Sequence, residues 1–186
     1  MGWQWLPWYP PPPVKRMVIQ CYLKDYQLKN FIETGTHQGD TLAHVAYDKS
    51  VKAVSIELAD DYYGVAAKRF AKYRNILLLH GDSGKLMPQV VSGLQSPALF
   101  WLDAHYSGGA TAKGDTETPI SAELQAVLDS TIPGHVILVD DVRCFDGSND
   151  YPHLDEFMAF IRKDGRYHLE VSADILRLTP PKPSCL

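Results

Sequence analysis

Acidic and hydroxyl side chains recur in one kind of place in this sequence, immediately after short apolar runs. The runs lead into Glu33-Thr34-Gly35, Glu57, Gly81-Asp82-Ser83, Asp103 followed by His105, and Asp140-Asp141. Singly, each acid has an ordinary explanation: Asp82 can cap a following helix, Asp140 can end a strand, and Glu57 can sit in solvent. Together they share a register, and crowded carboxylates repel and raise one another's pKa. A cation or a hydroxyl-rich ligand resolves that conflict.

The segment Glu33-Thr34-Gly35-Thr36-His37-Gln38-Gly39 places an acid at the end of a run and two glycines around a tight turn, which lets a ligand approach the backbone closely. The dinucleotide pattern GxGxxG is absent, because His37 stands where its second glycine would fall. Glu57 lies where a nucleoside-binding fold keeps an acid to accept both ribose hydroxyls. Asp82 and Ser83 then offer a carboxylate and a hydroxyl to the base.

The elements that must position these groups follow from the pattern of apolar residues. Strands are expected at 31–34, 53–57, 76–80, 98–103 and 136–140, with helices starting near Gly39, Asp60, Gly84, Pro119 and His153. Such alternation predicts parallel strands joined by right-handed helical crossovers. Two further strands, 167–171 and 175–178, are separated only by Ser172, Ala173 and Asp174, which predicts a hairpin. The expected fold is therefore α/β, a Rossmann-like, mostly parallel seven-stranded sheet with helices on both faces and a C-terminal antiparallel hairpin. In such sheets ligands gather beyond the carboxyl ends of the strands, where all these acids fall.

Ahead of the first strand, residues 14–29 read as a helix with Val14, Met17, Val18, Cys21, Tyr22 and Leu28 on its apolar side. Residues 1–13, with Trp3, Trp5, Trp8, Tyr9 and the run Pro10 to Pro13, read as an extended aromatic strap, a natural place for the subunit contacts of a homodimer. The remaining 14–186 read as one domain, consistent with the size of a 186-residue chain.

A net charge of −4 provides no basic surface for nucleic acid. No stretch reaches the ~20 apolar residues of a membrane span, and the first residues lack the pattern of a signal peptide. The cysteines, Cys21, Cys144 and Cys185, have neither disulfide nor zinc spacing, so a cytoplasmic location is expected.

In this order and at these spacings, the motifs from Asn30 to Pro180 resemble those of the class I S-adenosylmethionine-dependent methyltransferases. The resemblance implies S-adenosylmethionine as cofactor, contacted by Glu33, Gly35, Thr36, Gly39, Glu57, Asp82, Ser83 and Asp103, with His37 near its methionine carboxylate. Phe100-Trp101-Leu102-Asp103 and Val139-Asp140-Asp141-Val142 are similar to segments of the metal-dependent catechol-type and macrocin-type O-methyltransferases. That similarity implies Asp103, Asp140 and Asp141 as ligands of Mg²⁺, a hard cation suited to three carboxylates.

The lysine base of the catechol-type enzymes is missing, since Tyr106 stands three residues after Asp103. His105 takes the role of base in this reading, with Asp103 beside it as the second catalytic residue. The polar segment 107–118, with Lys113 and Glu117, is read as a small substrate loop. The expected reaction is methylation of a small hydroxyl-bearing acceptor. A metal-dependent hydroxylase on the same fold and a non-catalytic cofactor-binding module are the alternatives. Removing both charges of Asp140 and Asp141 is expected to stabilise the metal-free protein by relieving repulsion.

Overall fold

The run Ala98-Leu99-Phe100-Trp101-Leu102 has no polar member, and a strand of such residues must be covered on both faces. In the computed structural model, which describes residues 10–104 and 118–181, all five are buried at the centre of the sheet. Leu99 and Trp101 pack with Phe31, Leu42, Ala66 and Phe70 on one face. Ala98, Phe100 and Leu102 pack with Met87, Leu124, Phe157 and Ile161 on the other. The period of two along the strand thus divides one apolar run between two cores.

The elements in chain order are α1 (Pro12–Asp25), β1 (Asn30–Thr34), α2 (Asp40–Ala46), β2 (Lys52–Glu57), α3 (Asp60–Phe70), β3 (Ile76–His80), α4 (Ser83–Ser92) and β4 (Ala98–Leu102). After them come α5 (Ile120–Leu128), β5 (Val136–Val139), a 3₁₀ turn (Val142–Cys144), α6 (Leu154–Asp164), β6 (His168–Ser172) and β7 (Ile175–Thr179). The seven strands form one sheet in the order β3-β2-β1-β4-β5-β7-β6. β1 to β5 run parallel, while β7 is antiparallel to both its neighbours. This is the Rossmann-like sheet expected from the sequence. Its strand order reverses between β1 and β4, where Thr34 lies opposite Leu102.

Several boundaries differ from expectation. β4 and β5 stop at Leu102 and Val139, so Asp103 and Asp140 are the first residues beyond the pairing and are free to turn their side chains into the crevice. The hairpin turn has two residues instead of three, Ala173 and Asp174, both at positive φ (52° and 60°), as a tight primed turn requires.

The proline run is only partly extended. Pro11 has φ −63° and ψ 153°, but Pro12 and Pro13 open α1, because the first helical positions have no intrahelical partner for the N–H that proline lacks. The apolar face of α1 is rotated from the expected one, keeping Val18 and Tyr22 against the core. Ile19 and Leu23 are its buried residues, whereas Met17 is 63% exposed and Cys21 is exposed. The aromatic residues of the expected strap, Trp3, Trp5, Trp8 and Tyr9, lie outside the described residues. Among the described residues no helix is long and apolar enough to cross a membrane.

Candidate functional site

The parallel register of β1 and β2 sets Glu33 opposite Ser55. Glu33 is buried, the Ser55 hydroxyl donates to its Oε2 at 2.6 Å, and the Thr36 hydroxyl lies 2.6 Å from Ser55 Oγ. Burial pushes the Glu33 carboxyl up to about 8, against the Ser55 hydrogen bond and with the repulsion of Glu57. It therefore holds its proton near neutral pH and can ionise beside an arriving cation.

The turn after β1 bends sharply at Gly35, whose φ is +79° and whose N–H donates to the Ile56 carbonyl at 3.0 Å. A Cβ on Gly35 would lie 2.7 Å from the Asp103 carbonyl oxygen, so the glycine lets the turn run against the end of β4. Gly39, at φ +76°, is the N-terminal boundary of α2. Glu57 faces this turn from β2. Its two oxygens accept from the backbone N–H groups of His37 (2.7 Å) and Ala59 (2.8 Å), tying the turn to the start of α3.

The structure thus gathers Glu33, Gly35, Thr36 and Glu57 around one turn, each hydrogen-bonded to the backbone or side chains of β2 and the turn itself. Asp82 takes the ordinary role weighed for it: it is the N-cap of α4, accepting from Gly84 N–H at 2.9 Å. Ser83 is buried at the first position of that helix. His37 is exposed, with its ring 4.3 Å from that of Tyr62.

On the other side of the crevice, Asp103, Asp140 and Asp141 each bring an oxygen within 4.8 Å of the others. Asp103 follows β4, with its N–H bonded to Thr34 Oγ1 at 3.2 Å. Asp140 N–H donates to the Leu102 carbonyl at 3.0 Å, locking the two strand ends together. Asp141 has a left-handed backbone, φ 55°, which swings its side chain back toward Asp140. Asp103 and Asp140 are pushed up by burial and by neighbouring carboxylates, Asp140 to about 6. Burial also acts upward on Asp141, but Lys15 and Arg143 outweigh it and hold that carboxyl below its ordinary range.

As a donor set, three clustered carboxylates fit a hard divalent cation that keeps part of its hydration shell. The group is all carboxylate among the described residues, without the paired histidines usual for an iron oxygenase. Two of its members meet cations of the chain itself. Lys15 Nζ lies 2.6 Å from Asp140 Oδ1 and 2.9 Å from Asp141 Oδ1. Arg143 Nη1 lies 2.6 Å from Asp141 Oδ1 and also pairs with Asp174, in the turn between β6 and β7. Lys15 and Arg143 thus offset the Asp140 and Asp141 charges without metal, and removing both carboxylates would take from Lys15 its two partners while Arg143 keeps Asp174, which argues against the stabilisation expected from relieved repulsion.

Three residues escaped the reading of the sequence. Lys15 carries no local signal, since it lies 126 residues from Asp141. Tyr151 borders a small recess with Asp103, Ala104, Thr118, Ile120 and Asp140. Burial first, opposed by a Thr118 hydrogen bond, pushes its hydroxyl far above the ordinary value. Glu123 did leave a signal. It falls on the buried stripe of α5, between Ile120 and Leu124, where an apolar residue is due. Fully buried, with neither carboxyl oxygen in a well-formed hydrogen bond, it is raised to about 7 by burial against the nearby Ser83 and Thr34 hydroxyls. His105, Lys113, Glu117 and the rest of the expected substrate loop up to residue 117 lie outside the described residues.

No family model matches the chain, and no curated protein matches it. Solved structures do. An O-methyltransferase from Bacillus cereus in complex with SAH superimposes with a TM-score of 0.67 at 17% identity, over 94% of this chain and 84% of that one. The O-methyltransferase TomG from Streptomyces achromogenes, involved in tomaymycin synthesis and in complex with SAM, gives 0.64 at 18% identity, over 94% and 82%. The SAH-bound methyltransferase PaMTH1 of Podospora anserina gives 0.67 at 16% identity, over 93% and 80%. At these identities the likeness establishes the shared fold, Rossmann-like with the antiparallel β7 inserted beside β5.

Proposed function

We propose that this protein is an S-adenosylmethionine-dependent methyltransferase that methylates a hydroxyl of a small acceptor, assisted by a divalent cation, with Mg²⁺ the first choice. The observation that carries the reading is the group at the ends of β1 and β2. A buried, proton-holding Glu33 and a Glu57 anchored by two backbone N–H groups flank a glycine turn on the crevice side of the sheet. Three structural neighbours of the same fold are methyltransferases with SAM or SAH bound, which supports the cofactor.

In this reading the Glu33 carboxyl would accept a hydrogen bond from the cofactor's ammonium group, and the backbone at Gly35 would leave room for the methionine part. The Glu57 oxygens keep lone pairs beyond those used by His37 and Ala59, and these accept the ribose hydroxyls. Asp82 and Ser83 border the base. Asp103, Asp140 and Asp141 are the residues that would hold the cation, which when bound supplies a Lewis acid that lowers the pKa of a hydroxyl. Tyr151 and Thr118, beside the acid cluster, would border the acceptor and orient its hydroxyl toward the cofactor, which when bound supplies the methyl group. His105 is the base we assign to receive the hydroxyl proton.

The test is calorimetric titration with S-adenosylmethionine and S-adenosylhomocysteine, each with and without MgCl₂. Micromolar binding, about −8 kcal/mol, is expected for both. Absence of binding in every condition overturns the cofactor assignment. Binding without methyl transfer to any hydroxyl compound in a broad screen leaves a cofactor-binding module.

A further inference from the structure

The acid cluster contains a cation that belongs to the fold. α1 buries Ile19 and Leu23 against the sheet, and Lys15 lies one turn before Ile19 on the same face. The apolar stripe of α1 therefore ends in an ammonium group, and docking of the helix carries that group to the ends of β4 and β5. There Lys15 Nζ bonds Asp140 Oδ1 at 2.6 Å and Asp141 Oδ1 at 2.9 Å, with only 16% of the lysine side chain exposed. The first turn of α1 contains no acid to hold the lysine on its own helix. Arg143 is anchored differently: Asp174 accepts from its backbone N–H at 2.9 Å and pairs with its guanidinium, so it stays at the rim.

A divalent cation held by Asp140 and Asp141 needs oxygens of the same two carboxylates that Lys15 bonds. The Lys15 ammonium already stands within hydrogen-bond distance of both, so the two cations exclude one another by volume and by like charge. We propose that Lys15 is the built-in occupant of the cation position, so that a divalent cation binds only by displacing it. The inference rests on the reading of Asp103, Asp140 and Asp141 as a cation site. It makes α1 the element whose docking sets metal affinity, and it accounts for an acid cluster that is held together without metal.

If the Lys15-filled arrangement holds nine molecules in ten, apparent metal affinity falls about ten-fold. The experiment is titration of the full chain with MnCl₂, followed by electron paramagnetic resonance of free Mn²⁺, and with MgCl₂ by calorimetry. It compares the wild type, Lys15→Met and the control Lys24→Met, an exposed lysine of the same helix. Lys15→Met keeps the aliphatic stem, and Lys15→Gln serves if that variant does not fold.

The expected result is binding about ten-fold tighter in Lys15→Met and unchanged in Lys24→Met. Wild-type binding that Lys15→Met leaves equal or weaker overturns the role of Lys15 while keeping the cation site. Equal tightening in Lys24→Met also overturns it, by reducing the effect to net charge. No binding of either ion to any of the three proteins overturns the cation site itself, and the competition with it.

Discussion

The two sides of the crevice neutralise their carboxylates by different means. Beside β1 and β2, Glu33 is met by the Ser55 hydroxyl and Glu57 by the N–H groups of His37 and Ala59, all neutral donors within 22 residues of the acid they serve. Beside β4 and β5, Asp140 and Asp141 are met by charged groups, one of them Lys15 from the distant α1. Neutral donors built into strands and turns keep their positions, and they leave the acids able to take a further ligand. The first side has the character of a fixed cradle; on the second, under the proposal above, the cation carried by a separate helix could be exchanged for another.

The sharpest break in this comparison is set by pH. Glu33 is raised from its ordinary 4.5 to about 8, so the folded state binds the proton more tightly than the unfolded one. The stability linked to it is complete below pH 4.5 and is lost as pH rises through 8, by up to about 5 kcal/mol at 1.36 kcal/mol per unit. Urea unfolding of the ligand-free protein at pH 5 and pH 8 measures this together with the smaller share of Glu123, and Glu33→Gln should make the decline shallower without abolishing it. An equally steep decline in Glu33→Gln assigns it to another group.

The acid cluster responds in the opposite sense to charge removal. Asp140→Asn with Asp141→Asn takes both carboxylate partners from the largely buried Lys15 and one of two from Arg143, which keeps Asp174, and metal-free stability should fall by about 3 kcal/mol. A double variant more stable than wild type in the same chemical melt would show that repulsion among the acids dominates after all.

Gly35→Ala tests the seam between the two sides. Its Cβ would meet the Asp103 carbonyl at 2.7 Å in a left-handed turn, which should cost about 2 kcal/mol and weaken both cofactor and metal binding. Calorimetry that finds only one of the two ligands affected would separate the sides. The smallest effect belongs to Glu57→Gln, where one amide group must face a backbone donor. About 1 kcal/mol of stability and several-fold in S-adenosylhomocysteine affinity should go. Unchanged affinity would remove Glu57 from the ribose assignment.

The turn after β1 was more legible in the sequence than the acid cluster, and the reason is range. Glu33, Gly35, Thr36, Gly39 and Glu57 announce themselves because a strand end, a tight turn and the next strand end lie within 25 residues, and strand periodicity fixes which side each acid takes. Asp103, Asp140 and Asp141 could be found as residues but not in their electrostatic state. The apolar stripe assigned to α1 ran through Met17 and Cys21, which are exposed, and so turned Lys15 away from the sheet. Glu123 was visible as an acid on the apolar face of α5, yet its neighbours Ser83 and Thr34 come from two other elements.

The sequence by itself determined the alternation of strands and helices, the hairpin that closes the sheet, and the row of acids just beyond the strand ends, because all of these are encoded in local periodicity and turn chemistry. Only the tertiary structure decided which charge faces which acid. That depends on how α1 rotates about its axis as it docks through Ile19 and Leu23, and no spacing along the chain records the rotation.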